Sequence, residues 1–416
     1  MLAIFCAMML TGGCFERQNQ SSTKSDPHGA QGKVAPQQGG AGARDLEKQD
    51  SDFVARFAKE ADPDKKWEML EAHVSAIQTE RGQFDSDHLD WIHQQEEKIL
   101  AQFPQDHPAK IIRRAYAAYD AAMSPFGVNA TSEEQLSALA ASADELTQKG
   151  GARSVEEADL ASLNALEAVA DFMVKAKYPA RIGRDLPAFE ILHRVCTQRH
   201  DLELAFRLAS CATAAKAYFQ SGKTADAAAV MKEYVAIARA EASTAEPPGE
   251  YGAPNLRESA LLNYGWYLFE IERNQEALLL AKQNGGPAST ARAEWYQLAG
   301  WADIALDRYR DAEEQFQRGL DAEDARRYPV QRFFPRKVRN LLRGAGAFRR
   351  GATSLVVDLY IAQIKTNPQE ASKVPNRYSN WESLLGLGST SSGFGDRVRS
   401  AEYSEALSKM NRLYIE

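Results

Sequence analysis

The chain has 416 residues, 44 % apolar and 26 % charged, enough to bury a core in two or three domains or in one long repeat array. Its formal net charge of −7 argues against a globally basic nucleic-acid binder. Alanine is common and β-branched runs are few, which favours helix over strand. At the N-terminus an apolar run, Leu2 to Leu10, leads into Thr11-Gly12-Gly13-Cys14. A helix needs about 20 apolar residues to span a bilayer, so this run is too short and fits the apolar region of a signal peptide.

Leu10-Thr11-Gly12-Gly13-Cys14 resembles a bacterial lipobox. The resemblance implies a signal peptide over 1–13, cleavage before Cys14, and diacylglycerol on the Cys14 thiol. The sequence departs from the pattern at Thr11, where such boxes usually carry Leu, and no Lys or Arg precedes the apolar run. Phe15 follows the cysteine where Asp would favour inner-membrane retention, so the implied address is the outer membrane, facing the periplasm. Other readings are a plain secretory signal and a cytoplasmic protein with an apolar N-terminus. Each buried methylene of an acyl chain contributes roughly 0.8 kcal/mol, and several chains together anchor firmly.

Residues 14–50 are rich in Gln, Gly, Ser and Pro and nearly empty of large apolar side chains. Such a segment cannot offset its ordering entropy and is expected to be a disordered linker. A flexible tether of about 36 residues reaches roughly 30–36 Å.

From Ser51 onward apolar residues recur every three or four positions: Phe53, Phe57, Trp67, Leu70, Val74 and Ile77, then Leu204, Leu208, Cys211, Ala215 and Tyr218. Pro and Gly punctuate this pattern at intervals that predict helices of about 12 to 20 residues joined by short turns. The chain is read as looser helix pairs over 51–200, clearer repeats over 201–325 and a basic, helical C-terminal segment over 326–416. Cys196 and Cys211 are expected to be two buried thiols. With a turn near His200-Asp201 they would be offset by roughly 9 Å along antiparallel helices, beyond the usual Cα limit of about 7 Å for a disulfide.

Set over one another, the stretches around Gly265 and Gly300 align Trp266 with Trp301 and Ala277 with Ala312. Ala215, Tyr218 and Ala227 fall on the same frame, with Gly222 at the turn, and a Pro-rich insert over 243–255 accounts for the longer step. This pattern resembles the tetratricopeptide repeat, a pair of antiparallel helices. The resemblance implies an all-α solenoid in which a small residue of the first helix lets the second approach. The alanine and following aromatic of the second helix (Ala312 and Phe316) would pack back against it. Asp303 stands where the pattern usually has Tyr, and no Pro closes the repeat near 324. An irregular helical bundle is the alternative.

Gly222-Lys223-Thr224 has the ending of a phosphate-binding loop, but Ala217 stands where the first glycine is needed and the preceding segment is helical in pattern. Leu355-Val356-Val357-Asp358 mimics the acid-bearing strand of such proteins and reads equally as buried helix. Gly222 is therefore expected to end a helix, with Lys223 and Thr224 exposed. The histidines show no metal-ligand spacing, and no catalytic residue, cofactor, metal or small-molecule substrate is expected. Glu382-Ser383 resembles the catalytic Glu-Ser of soluble lytic transglycosylases, which also carry helical superhelices. Only 34 residues follow Glu382, and the expected Gly-Leu-Met-Gln stretch is absent.

Between Asp324 and Asp358 lie nine basic residues and no acid. Arg332, Arg336, Arg339 and Arg343 share one helical face, a candidate patch for an anionic partner unless it is simply a solvated face paired with acidic repeats. The expected function is that of a lipid-anchored envelope scaffold that holds a protein partner in a helical-repeat groove. A peptidoglycan-active enzyme or a wall-polymer-binding module is the alternative, and nucleic acid is not an expected partner.

Overall fold

A computed structural model describes residues 51–81, 86–123, 131–179, 186–242, 255–327 and 353–367, together with 399, 401, 402 and 405. The described residues form fourteen helices and no strand, so the chain is all-α. Cys14, the signal peptide, the linker over 14–50, Arg332, Arg336, Arg339, Arg343 and Glu382 lie outside the described residues. By its contacts the chain divides into two compact units, 1–116 and 117–416.

In the first unit, α1 (51–59), α2 (Pro63–Arg81) and α3 (Ser86–Gln102) lead to α4 (Pro108–Ala122), within which the division falls. Phe53, Phe57, Leu70, Val74, Ile92, Ile99 and Phe103 form its core. Phe53 stacks on His73 and Phe103 on His107, each at 3.7 Å between ring centres. His107 Nε2 lies 3.1 Å from Asp64 Oδ1, which links the start of α4 to the start of α2.

In the second unit, α5 (Glu133–Gln148) begins with a reciprocal cap between Ser132 and Gln135. Asp159 caps α6 (Leu160–Lys175), and Pro187 opens α7 (Pro187–Gln198). Three helix pairs follow: α8 (Leu204–Gln220) with α9 (Thr224–Glu241), α10 (Leu256–Glu270) with α11 (Asn274–Asn284), and α12 (Arg292–Ala305) with α13 (Tyr309–Arg327). The last described long helix is α14 (Thr353–Thr366). Each of α5 to α14 packs on its chain neighbour, and α5 on α7, α6 on α8, α8 on α10, α10 on α12 and α12 on α14 as next neighbours but one.

The three pairs share one turn. Gly222, Glu272 and Asp307 all take left-handed backbone, with φ of 76°, 63° and 58°. In each turn the following amide reaches back five residues: Lys223 N to Tyr218 O, Arg273 N to Leu268 O, and Arg308 N to Asp303 O, at 2.8 to 2.9 Å. These positions lie at the same spacings as Ala227, Ala277 and Ala312, all fully buried.

Cys196 and Cys211 form a disulfide with a Cα separation of 5.4 Å, where two free thiols were expected. The expectation placed both helices flush against a turn at His200-Asp201. Instead α7 ends at Gln198 and α8 begins only at Leu204. The five residues between form a hydrogen-bonded turn outside both helices, so the offset counted as if they were helical does not apply. Arg207, 1 % exposed, braces the same junction. It donates to Cys196 O at the end of α7 and holds both carboxylate oxygens of Glu241 at the end of α9.

Candidate partner-binding face

Glycine sets how closely the pairs approach. A β-carbon added at Gly300 would come within 2.6 Å of Phe316 Cζ, and one at Gly265 would overlap the Leu298 side chain. Phe316, fully buried, also meets Trp301 edge-on at 6.1 Å. The residues singled out for repeat packing are thus core elements: Ala215, Ala227, Ala277, Ala312 and Phe316 are fully buried, while Gly265 and Gly300 are contact points between helices. Tyr218 is half-buried, edge-on to His193, with the Lys223 ammonium 5.9 Å from its ring centre.

Gly222, Lys223 and Thr224 are exposed, as expected of a helix-ending turn. The segment before them is α8 and the Leu355–Asp358 stretch belongs to α14, so neither half of a phosphate-binding fold is formed. Among the described residues no group of His, Cys, Asp and Glu is placed to hold a metal ion. No described helix is long and apolar enough to cross a membrane.

With the close-approach residues buried, α10, α12 and α14 present a further face. Trp266 on α10 is half-buried and meets Phe269 edge-on at 5.8 Å. Gln297 on α12 donates to the buried Asp358 of α14 at 2.6 Å, tying those two helices together. Lys365 stands near the end of α14, its ammonium 5.7 Å from the Tyr309 ring centre. Arg399 and Glu402 lie against these helices. The Arg399 guanidinium lies 4.5 Å over the Trp266 ring, and Glu402 pairs with Lys365 at 2.9 Å. At the tips of the first two pairs, Phe219, Thr224, Ala228, Tyr267 and Glu270 line an open recess of about 440 Å³.

Two acids, one buried and one half-buried, have raised carboxyl pKa values. Asp303, 1 % exposed, has neither carboxylate oxygen hydrogen-bonded. Burial pushes it up to about 6, against the opposing influence of Lys282. Glu167 on α6 is pushed up to about 7, first by burial and then by Asp171 one turn away, although Thr213 donates to it at 3.3 Å. Sequence reading found neither acid. An acid inside an amphipathic stretch carries no mark of its burial, although Asp303 did stand out as a departure from the repeat pattern. The Trp266–Arg399 contact joins residues 133 positions apart, and no local pattern announces it.

The chain matches no family model, no curated protein and no solved structure.

Proposed function

We propose that this chain is a lipid-anchored protein of a bacterial envelope whose tetratricopeptide-like helix pairs stack into a solenoid and hold a protein partner. The observation that carries the reading is the turn repeated at Gly222, Glu272 and Asp307, with a buried alanine following each at the same distance. Helix pairs with one turn geometry and next-neighbour packing stack in series and leave a continuous face for a peptide or helix. The Cys196–Cys211 disulfide supports an extracytoplasmic address, since such bonds persist in oxidising compartments. The lipobox resemblance at Cys14 supplies the anchor, and the polar linker gives the body room to stand off the membrane.

Two experiments test this. A photo-crosslinking residue at position 266, activated in living cells and followed by mass spectrometry, is expected to capture one envelope protein reproducibly. Metabolic labelling with an alkyne fatty acid is expected to mark the chain and to be lost in Cys14→Ser. Turnover of purified wall material by the intact protein, with no captured protein, would replace this reading with the peptidoglycan-active one.

A further inference from the structure

The geometry points to the face carried by α10, α12 and α14 as a docking surface for a helical segment that presents an arginine and an acid one turn apart, with the chain's own Arg399–Glu402 stretch as its intramolecular occupant. This rests on the partner-holding reading and names the chemistry of what is held.

Residues 399, 401, 402 and 405 are helical. Arg399 and Glu402, three positions apart, are half-buried, while Ala401 and Glu405, four positions apart, are exposed. Positions three apart share a helix face, so Arg399 and Glu402 are seated together. The seated pair lands on two different helices: Arg399 on Trp266 of α10, and Glu402 on Lys365 of α14. Arg399 and Glu402 therefore link two helices that both pack on α12.

An end cap on a repeat array would cover the outer surface of the last helix. Here the contact reaches back to Trp266, well before α14 in the stack. The two contacts are also few: one cation over a half-buried indole and one ion pair whose side chains are 20 % and 22 % exposed, so a competitor with more contacts can exchange with them. The stretch holds its place through tethering, which supplies an effective concentration in the millimolar range, and a free ligand must overcome that. A partner helix with the same Arg-x-x-acid pair and further contacts of its own can displace it.

The test uses the full chain and a fluorescein-labelled peptide with the sequence of residues 394–408, FGDRVRSAEYSEALS. Wild type, its face occupied, is expected to bind the probe weakly. The Arg399→Ala/Glu402→Ala chain, its face vacated, should bind at least tenfold more tightly. Amides at 399–405 of that variant should exchange hydrogen at least tenfold faster than in wild type. Adding Trp266→Leu to the variant should reduce binding about tenfold. Should that substitution perturb folding, Lys365→Glu gives the second readout: it weakens binding, and a probe with Lys at the Glu402 position restores it. Equal binding by wild type and the vacated variant, no binding by either, or binding indifferent to Trp266 and Lys365 would each overturn the inference. A failure of in-cell capture would leave these measurements standing, so the two readings fail separately.

Discussion

The first unit and the three helix pairs of the second both bury large rings, but the pairs add small residues where the helices come closest. Residues 51–116 rely on large rings: Phe53 on His73, Phe103 on His107, and Trp91 edge-on to Phe57 at 5.6 Å. The pairs from Leu204 to Arg327 bury Trp295, Trp301 and Phe316 and, beside these rings, set Ala215, Ala227, Ala277 and Ala312 fully buried and Gly265 and Gly300 at the closest approaches. Rings fill space between helices held apart and tolerate local repacking. Small residues bring backbones together, and the tolerance for added atoms falls accordingly. The proposed stack needs such close approaches, because each pair must present the same spacing to the next.

Phe316→Ala breaks the stacked side most directly. It empties the space beside Gly300 and should lower stability by about 3–5 kcal/mol, read from the urea midpoint. The complementary change sharpens the comparison: Gly300→Ala should cost about 1–3 kcal/mol, and less in a Phe316→Leu background where the ring no longer blocks the added carbon. Removing the bridge by Cys196→Ser should cost about 3 kcal/mol, since it closes a loop of 15 residues, and thiol titration of the unfolded wild type should find the two cysteines oxidised.

Asp303 tests the pairs through pH. Its carboxyl is held up to about 6 in the fold, above an ordinary value near 3.8. The folded state then binds the proton more tightly than the unfolded chain. The favourable contribution is full below about pH 4, falls as pH rises through 4 to 6, and is absent above. Asp303→Asn should stabilise by about 2 kcal/mol at pH 7 and by almost nothing below pH 4, as compared by thermal melts. The smallest effect belongs to the shared turn. Glu272 is exposed and left-handed, so Glu272→Gly should gain up to about 1 kcal/mol, while Gly222→Ala should lose about as much.

The sequence revealed the helical class and the turn at Gly222, because period and punctuation are local signals. It did not reveal that Glu272 and Asp307 adopt the backbone of Gly222, since neither residue type advertises a positive φ. The disulfide was misjudged for a related reason: a helix offset can be counted from residue numbers only when the link adds nothing, and here residues 199–203 do. The candidate face was the least legible. Trp266 was noted only as an aligned tryptophan, and its partner Arg399 lies beyond every repeat.

The equivalence of the pairs is the claim on which the rest depends, and an in-register excision tests it most directly. Deleting Gly265 to Ala299 removes 35 residues and joins Tyr264 to Gly300, so that the second half of α12 continues α10. The account predicts a shortened chain that keeps its helical circular dichroism per residue and melts in one cooperative transition, whereas a 33-residue deletion from the same point does not. Non-cooperative melting of the in-register chain, or equal behaviour of the two deletions, would contradict it.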